Sequence, residues 1–223
     1  MQKQKITYLS LQSSYDQIEI GLFKDQQKIA ETQISKFTAS SLLIPCIKQL
    51  LQDHAILLNN LDFIGANLGP APFTTLRTTI VTINGISFAN KMPLVGINGI
   101  ELFAKQALPT EHNLIIIWNA FNHSVYFGIR QNQIVTYGWQ KIDLFLAQIQ
   151  KQFKDAPVIM IGHGINHFKP ELTTLPNNFI LNQTCEQFPK IDLIAQASLE
   201  FYLKNQTSKM LTPLYLKQAE PWI

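Results

Sequence analysis

Leu61-Asp62-Phe63-Ile64-Gly65-Ala66 runs into Asn67-Leu68-Gly69-Pro70-Ala71-Pro72, and then into Phe73-Thr74-Thr75-Leu76-Arg77 and a mixed apolar and polar segment as far as Asn90. Leu61 to Ala66 has the length and apolar character of a buried strand. Glycine and the two prolines mark the next six residues as a loop. Thr75 to Asn90 carries two signals. Its Thr, Ile and Val favour strand locally, but Leu76, Ile80, Ile83 and Ser87 recur at helical spacing over a length that suits a helix, which decides for helix. Strand, loop and helix in this order are the repeating unit of an α/β protein. Pro93 to Ile97 is the next strand and Gly99 to Gln106 a short helix.

Towards the N-terminus, Ile6 to Leu11 reads as a strand that turns at Ser13-Ser14-Tyr15-Asp16. Ile18, Ile20 and Leu22 then share one face, as a period of two requires. Asp25-Gln26-Gln27 turns into a third strand, Lys28 to Ile34. Leu43, Ile47, Leu50, Leu51 and His54 follow at helical spacing behind a Thr/Ser cluster able to cap, with Pro45 placed in the first turn. The second half repeats the plan. Leu114 to Trp118, Val125 to Arg130 and Gln133 to Tyr137 form another meander. A helix from about Lys141 to Phe153, a strand at Val158 to Ile161 and a helix from Ile191 to Asn205 complete it. A duplicated α/β lobe follows, with a border near Leu108-Pro109-Thr110: an N-terminal lobe over 1–108 and a C-terminal lobe over 109–223, each a mixed sheet with helices.

The chain has 223 residues, 46% of them hydrophobic and 15% charged, enough to bury a core and inconsistent with disorder. Its longest apolar run, Leu114 to Trp118, is far short of the roughly 18 residues of a membrane helix. The start lacks a signal peptide's apolar stretch and cleavage site. Cys46 and Cys185 stand far apart, which excludes a disulfide framework and paired-cysteine zinc ligation. A reducing, cytoplasmic setting is expected. The net charge is +3, but the lysines (Lys3, Lys24, Lys48, Lys91, Lys141 and Lys169 among them) are scattered, and the only arginines are Arg77 and Arg130. No basic stripe offers the clustered phosphate contacts of an autonomous nucleic-acid binder.

Candidate chemistry is sparse. Gly69 to Thr75 lies where a phosphate loop would, but Pro70 and Pro72 each delete a donor and Ala71 resists positive φ, so it reads as a rigid elbow. His163 and His167 have i, i+4 spacing, but sit in Ile161-Gly162-His163-Gly164-Ile165-Asn166-His167, where glycines suggest a polar turn; Cys185 and Glu186 are the nearest conceivable co-ligands. His54, His112 and His123 are isolated. Ser13 and Ser14 belong to no nucleophile elbow, Cys46 reads as a small hydrophobe, and Asp16, Asp62 and Glu101 form no convergent pair.

The same segments resemble a known family. Gly69-Pro70-Ala71-Pro72-Phe73-Thr74-Thr75-Leu76-Arg77 is similar to the Gly-Pro-Gly-Ser-Phe-Thr-Gly-Leu-Arg signature of the TsaB family, the bacterial tRNA threonylcarbamoyladenosine biosynthesis proteins. Pro93 to Ile97 with Ile100-Glu101 resembles its next strand and helix, Asn119-Ala120 with Val125-Tyr126-Phe127 its Asp-Ala-Arg strand entry, and Pro213-Leu214-Tyr215-Leu216-Lys217 its Pro-x-Tyr-Leu-Arg tail. The resemblance covers nearly the whole chain. It implies the two-lobed actin-like, sugar-kinase-like ATPase (ASKHA) fold. It also implies a non-catalytic, glycoprotease-like paralogue of TsaD, acting in modification of the adenosine (position 37) next to the anticodon.

Departures from the family pattern fall on its polar positions. Gln12 stands where the family ends its first strand in aspartate. Ala71 and Thr75 replace glycines, and Pro72 a serine. Asn119-Ala120-Phe121 replaces Asp-Ala-Arg, and Gly162-His163-Gly164 replaces Gly-Asp-Gly. The metal-binding histidine pair of TsaD has no counterpart in Thr38-Ala39-Ser40-Ser41. The competing reading is an enzyme, either an actin-like-fold ATPase or kinase or a metal-dependent protease. Gln12 argues against the kinase, which needs an acidic group near phosphate and Mg²⁺.

The resemblance with these departures implies a scaffold with no catalytic, cofactor or metal residue. It would pair with a TsaD-like transferase, be joined by a TsaE-like ATPase, meet tRNA only through the complex, and form a homodimer in isolation. The pairing helices are expected at about Ser41 to Asp53 and Thr75 to Asn90, through Leu43, Ile47, Leu50, Phe73, Thr74, Leu76, Arg77, Ile80, Val81, Ile83 and Asn84. On the second helix Leu76, Ile80 and Ile83 mark one side, and Val81 and Phe88 another. One side is expected on the lobe's own sheet and the other on the partner.

Overall fold

The computed structural model describes residues 5–109 and 111–217; Lys3 and Thr110, named above, lie outside them. β1 (Thr7–Ser13), β2 (Gln17–Lys24) and β3 (Gln27–Ser35) form an antiparallel meander in which Leu9 faces Leu22 and Leu11 faces Ile20. Then come α1 (Ala39–Asp53), β4 (Phe63–Asn67), α2 (Phe73–Asn90), β5 (Leu94–Ile97) and α3 (Gly99–Gln106). β4 pairs in parallel with β1, and β5 with β4, so the first sheet has the order β3-β2-β1-β4-β5.

The second half begins with the meander β6 (Asn113–Asn119), β7 (Ser124–Gln131) and β8 (Ile134–Lys141). It continues through α4 (Ile142–Gln152), β9 (Val158–Ile161), two single turns of helix α5 (Gly164–His167) and α6 (Lys169–Leu172), β10 (Phe179–Leu181) and α7 (Ile191–Leu203). Its sheet order, β10-β9-β6-β7-β8, repeats that of the first sheet when each strand is replaced by its successor in the second half. The duplicated plan is present.

The division of the chain differs from the expected border at 108. One compact unit takes the described residues of Met1–Gly99 and Lys190–Leu214, the other those of Ile100–Pro189 and Tyr215–Ile223. The last helix of each half explains this. α7 packs on the first sheet, where Gly65 leaves room for Ser198 and Gly21 for Ile191. Tyr8, Phe63 and Tyr202 stack there with ring centroids 4.4 Å apart in each pair. α3 packs on the second sheet, where Gly128 lies against Ile100 and Ala104. The buried guanidinium of Arg130 donates to the carbonyls of Ala104 (2.9 Å), Leu108 (3.0 Å) and Pro109 (2.6 Å) and so holds the end of α3. Linear order conceals the packing of α7, which lies on strands far from it in sequence, whereas α3 packs on the sheet whose first strand follows it.

Three local expectations are corrected. α1 starts at Ala39, so Pro45 lies in its second turn, and the Thr38 hydroxyl donates back to the Ser35 carbonyl (3.3 Å) instead of capping the helix. Asn132 and Gln133 have positive φ (50° and 65°), which makes them a hairpin turn and starts β8 one residue later than the expected strand, which began at Gln133. α5, α6 and β10 were not anticipated; at three or four residues each they are too short to show periodicity.

Candidate functional site

Two places in the first unit concentrate the candidate residues: the polar ends of β1 and β4, and the outer face of α1 and α2. At the strand ends Gln12 donates through Nε2 to Glu19 Oε2, and Gln17 Nε2 donates to Glu19 Oε1 (3.2 Å). Asn67 Nδ2 points at Gln12 Oε1 (3.5 Å), while Asn67 Oδ1 accepts the Gly69 amide (2.8 Å). The one carboxylate in this group is thus engaged by two side-chain amides.

Beyond it the elbow is tightly built. Gly69 has φ +108°, open to glycine but not to most side chains, and the Gly69–Pro70 bond is cis. The Leu68 amide donates to Ile97 O (2.8 Å), and Gly69 O accepts from the Gly99 amide (3.1 Å). Pro70 and Ala71 are buried. Within the elbow the Gly69 amide is already used by Asn67, and Pro70 and Pro72 have no N–H to offer. Ser13 Oγ lies 2.8 Å from Thr79 Oγ1 and ties α2 to the end of β1.

The second unit ends its strands differently. Asn119 at the end of β6 accepts the Phe121 amide (2.8 Å), and its own amide donates to His163 Nε2 (3.2 Å). That bond makes Nε2 an acceptor and puts the imidazole proton on Nδ1. The ring stacks on Phe188 at 4.7 Å. His167 instead meets the edge of Phe168. The structure does not bring the two imidazoles to a common ligand with Cys185 or Glu186, and no group of three His, Cys, Asp or Glu side chains among the described residues is placed to hold a metal. His54 Nδ1 pairs with the Leu50 carbonyl (2.9 Å). His123 lies 3.7 Å from Asp143 and 3.8 Å from Glu171.

The helix face sorts the expected interface residues. Leu43, Ile47, Leu50, Leu76, Ile80 and Ile83 are buried in the core of the first unit, packed with Leu9, Leu11 and Ile20. They are corrected from surface to core: at these positions the same apolar face that a partner would want is consumed by the sheet. Asn84 is also turned inward, since its amide donates to Leu211 O (2.9 Å) and accepts the Leu211 amide (2.8 Å). Phe73, Thr74, Arg77 and Val81 face outward.

Arg77 lies 3.5 Å from the centroid of the Phe73 ring. With Val81 (68% exposed), Gly85 and Phe88 (90% exposed) these residues form a stripe along α2. Phe37 (86%) before α1 and Leu42 and Ile44 (61%) on it add to the apolar exposure. The α1 residues were missed by sequence reading, although Leu42 and Ile44 are out of phase with Leu43, Ile47 and Leu50, and that offset is the signal of a second face.

Comparison with known proteins bears on this arrangement. Residues 34–170, more than half of the chain, match the family TsaD, tRNA N6-adenosine threonylcarbamoyltransferase. The chain belongs to this family, and within it to the TsaB proteins. It is 25% identical to the tRNA threonylcarbamoyladenosine biosynthesis protein TsaB of Haemophilus influenzae over 98% of this chain and 97% of that one. With the TsaB of Buchnera aphidicola (Schizaphis graminum) it shares 24% identity over 73% of this chain and 81% of that one.

Among solved structures, YeaZ from Pseudomonas aeruginosa superimposes with a TM-score of 0.65 at 17% identity, covering 90% of this chain and 95% of that one. An inorganic polyphosphate/ATP-glucomannokinase from Arthrobacter gives 0.52 at 7% identity, covering 89% and 99%. These likenesses show the fold: two lobes of the actin-like, sugar-kinase-like type, as the resemblance implied. No helix among the described residues is long and apolar enough to cross a membrane.

Proposed function

We propose that this chain is a non-catalytic subunit in the synthesis of threonylcarbamoyladenosine in tRNA, and that it works by offering the outer face of α1 and α2 to a TsaD-like transferase. The observation that carries the reading is the outward stripe of α2, in which apolar Phe73, Val81 and Phe88 and the Arg77 guanidinium over Phe73 are exposed on a helix whose other face is already buried. Contiguous exposed apolar surface of this kind marks interfaces. The names of the relatives support the pathway. The transferase would perform the chemistry, a TsaE-like ATPase would join the pair, and tRNA would be reached through the complex. In isolation the same stripe would be covered by a second copy.

The strand ends favour a supporting role over an actin-like-fold kinase. Gln12, Gln17 and Asn67 are amides, and the lone carboxylate among them, Glu19, accepts from two of those amides instead of facing an open site. The test is calorimetric titration of the transferase into the wild-type chain, Val81→Asp and Phe88→Asp. Both variants should melt within a few degrees of wild type and lose binding at least about tenfold, since each buries an unpaired carboxylate in the complex. Unchanged affinity in both overturns the reading.

A further inference from the structure

The two sheets have four edges, and three are closed to further pairing by different means. β5 is capped by the later segment around Ser208, whose backbone exchanges hydrogen bonds with Leu94 (2.9 and 2.8 Å). β10 has three residues. β3 carries charge along its length, with Lys28 Nζ 2.8 Å from both Glu31 and Asp192, and a copy laid antiparallel about its middle would set Glu31 against Glu31. β8 is the exception. It has eight residues, Ile134-Val135-Thr136-Tyr137-Gly138-Trp139-Gln140-Lys141, with no proline, no carboxylate and one charge at its end. It pairs with β7 on one side only. Its outward row of N–H and C=O groups has no partner among the described residues. Ile134, Tyr137 and Trp139 are exposed on it.

We propose that β8 is a self-association edge: two copies of this chain pair their β8 strands antiparallel about a two-fold axis at Gly138, joining two five-stranded sheets into one of ten strands. A two-fold interface must be self-complementary, and this register is. Tyr137 stands opposite Trp139 of the other copy, twice, and such cross-strand aromatic pairs stabilise sheets. Thr136 meets Gln140, and glycine meets glycine on the axis, where each Phe127 ring already fills the space beside Gly138. Lys217 Nζ lies 5.6 Å from the centroid of the Trp139 ring, a cation that an aromatic pair accommodates, and the one charge on the strand itself is compatible. Lys141 and its copy lie six residues apart along the ladder, about 20 Å, roughly twice the screening length near 0.1 M salt. This edge is separate from the helix face, so a copy could associate through β8 while a transferase occupies α1 and α2.

The test uses the full chain carrying Phe88→Asp, which silences the helix face, in sedimentation equilibrium from about 10 to 300 μM. That chain should self-associate reversibly. Adding Thr136→Lys with Gln140→Lys puts like charges directly opposite at two positions and should weaken association about tenfold or more. Thr136→Lys with Gln140→Glu puts opposite charges there and should restore it to within about threefold. Thermal melts of the three proteins should agree. A monomer throughout, or association indifferent to the two lysines, overturns the proposal. Failure of the Lys/Glu pair to restore association overturns the Gly138 register.

Discussion

The two sheets share a strand order, yet the helices following equivalent strands are built differently. In the first unit α1 and α2 have 15 and 18 residues, bury Leu43, Ile47, Leu76, Ile80 and Ile83, and still turn Leu42, Ile44, Val81 and Phe88 outward. In the second unit α4 has 11 residues, buries Phe145 and Ile149 and exposes only Leu144 among its large apolar side chains, while the counterpart of α2 is reduced to the single turns α5 and α6. Both helix layers are sufficient to cover a sheet. Only the first carries apolar surface in excess of that need, and the proposed partner-binding role of α1 and α2 rests on this excess.

The largest expected effect is a sharp contrast between neighbours on α2. Ile80→Asp places a carboxylate in the core beside Leu9 and Leu11 and should cost roughly 4 kcal/mol or more, enough to unfold a marginal domain. Val81→Asp, one residue away, should leave the melting temperature nearly unchanged. Paired thermal melts decide this, and equal losses in both would erase the two-face description. In the second unit Arg130→Met should cost about 3 kcal/mol, because the Ala104, Leu108 and Pro109 carbonyls lose a charged donor together. Urea denaturation reads it, and the midpoint should fall without a change in the binding of the transferase.

The alternation of strand faces and the helical spacing of Leu76, Ile80 and Ile83 made most elements legible, since burial on one side imposes a period. The outward face of α2 was legible for the same reason, Val81 and Phe88 being apolar and out of phase. What failed was non-local. Asn84 looks like any polar helix residue, and its use on the backbone of Leu211 depends on a segment 127 positions away. The placement of α7 on the first sheet and α3 on the second is invisible to periodicity, because an apolar face does not name the sheet it will cover. Leu43, Ile47 and Leu50 are strongly apolar, and choosing between core and interface for them requires knowing that the sheet beneath is otherwise bare.

A smaller effect lies in the aromatic stack under α7. The Tyr8 hydroxyl is shared between Asp25 O (3.1 Å) and Ala195 O (3.2 Å), and burial, with Asp25 and Asp192 nearby, raises its pKa above the ordinary tyrosine value. A folded-state pKa above the unfolded one favours the neutral phenol, so this stabilisation is whole below about pH 10 and is lost as the pH rises beyond it. Tyr8→Phe should therefore cost about 1 kcal/mol near neutrality and show a shallower alkaline decline. Denaturation midpoints at pH 7 and above pH 10 compare the two chains. The smallest effect is at Gly85, where an added Cβ meets nothing within 4 Å. Gly85→Ala should stabilise the isolated chain by about 0.5–1 kcal/mol through helix propensity, and its melt should rise by a few degrees.

The contrast between the two helix layers is tested most directly by hydrogen exchange on the full chain with and without a saturating TsaD-like transferase. The account predicts added protection across 37–53 and 73–90, and none across α4 at 142–152. Protection that gathers on α4 while α1 and α2 exchange as they do in the free chain would contradict it.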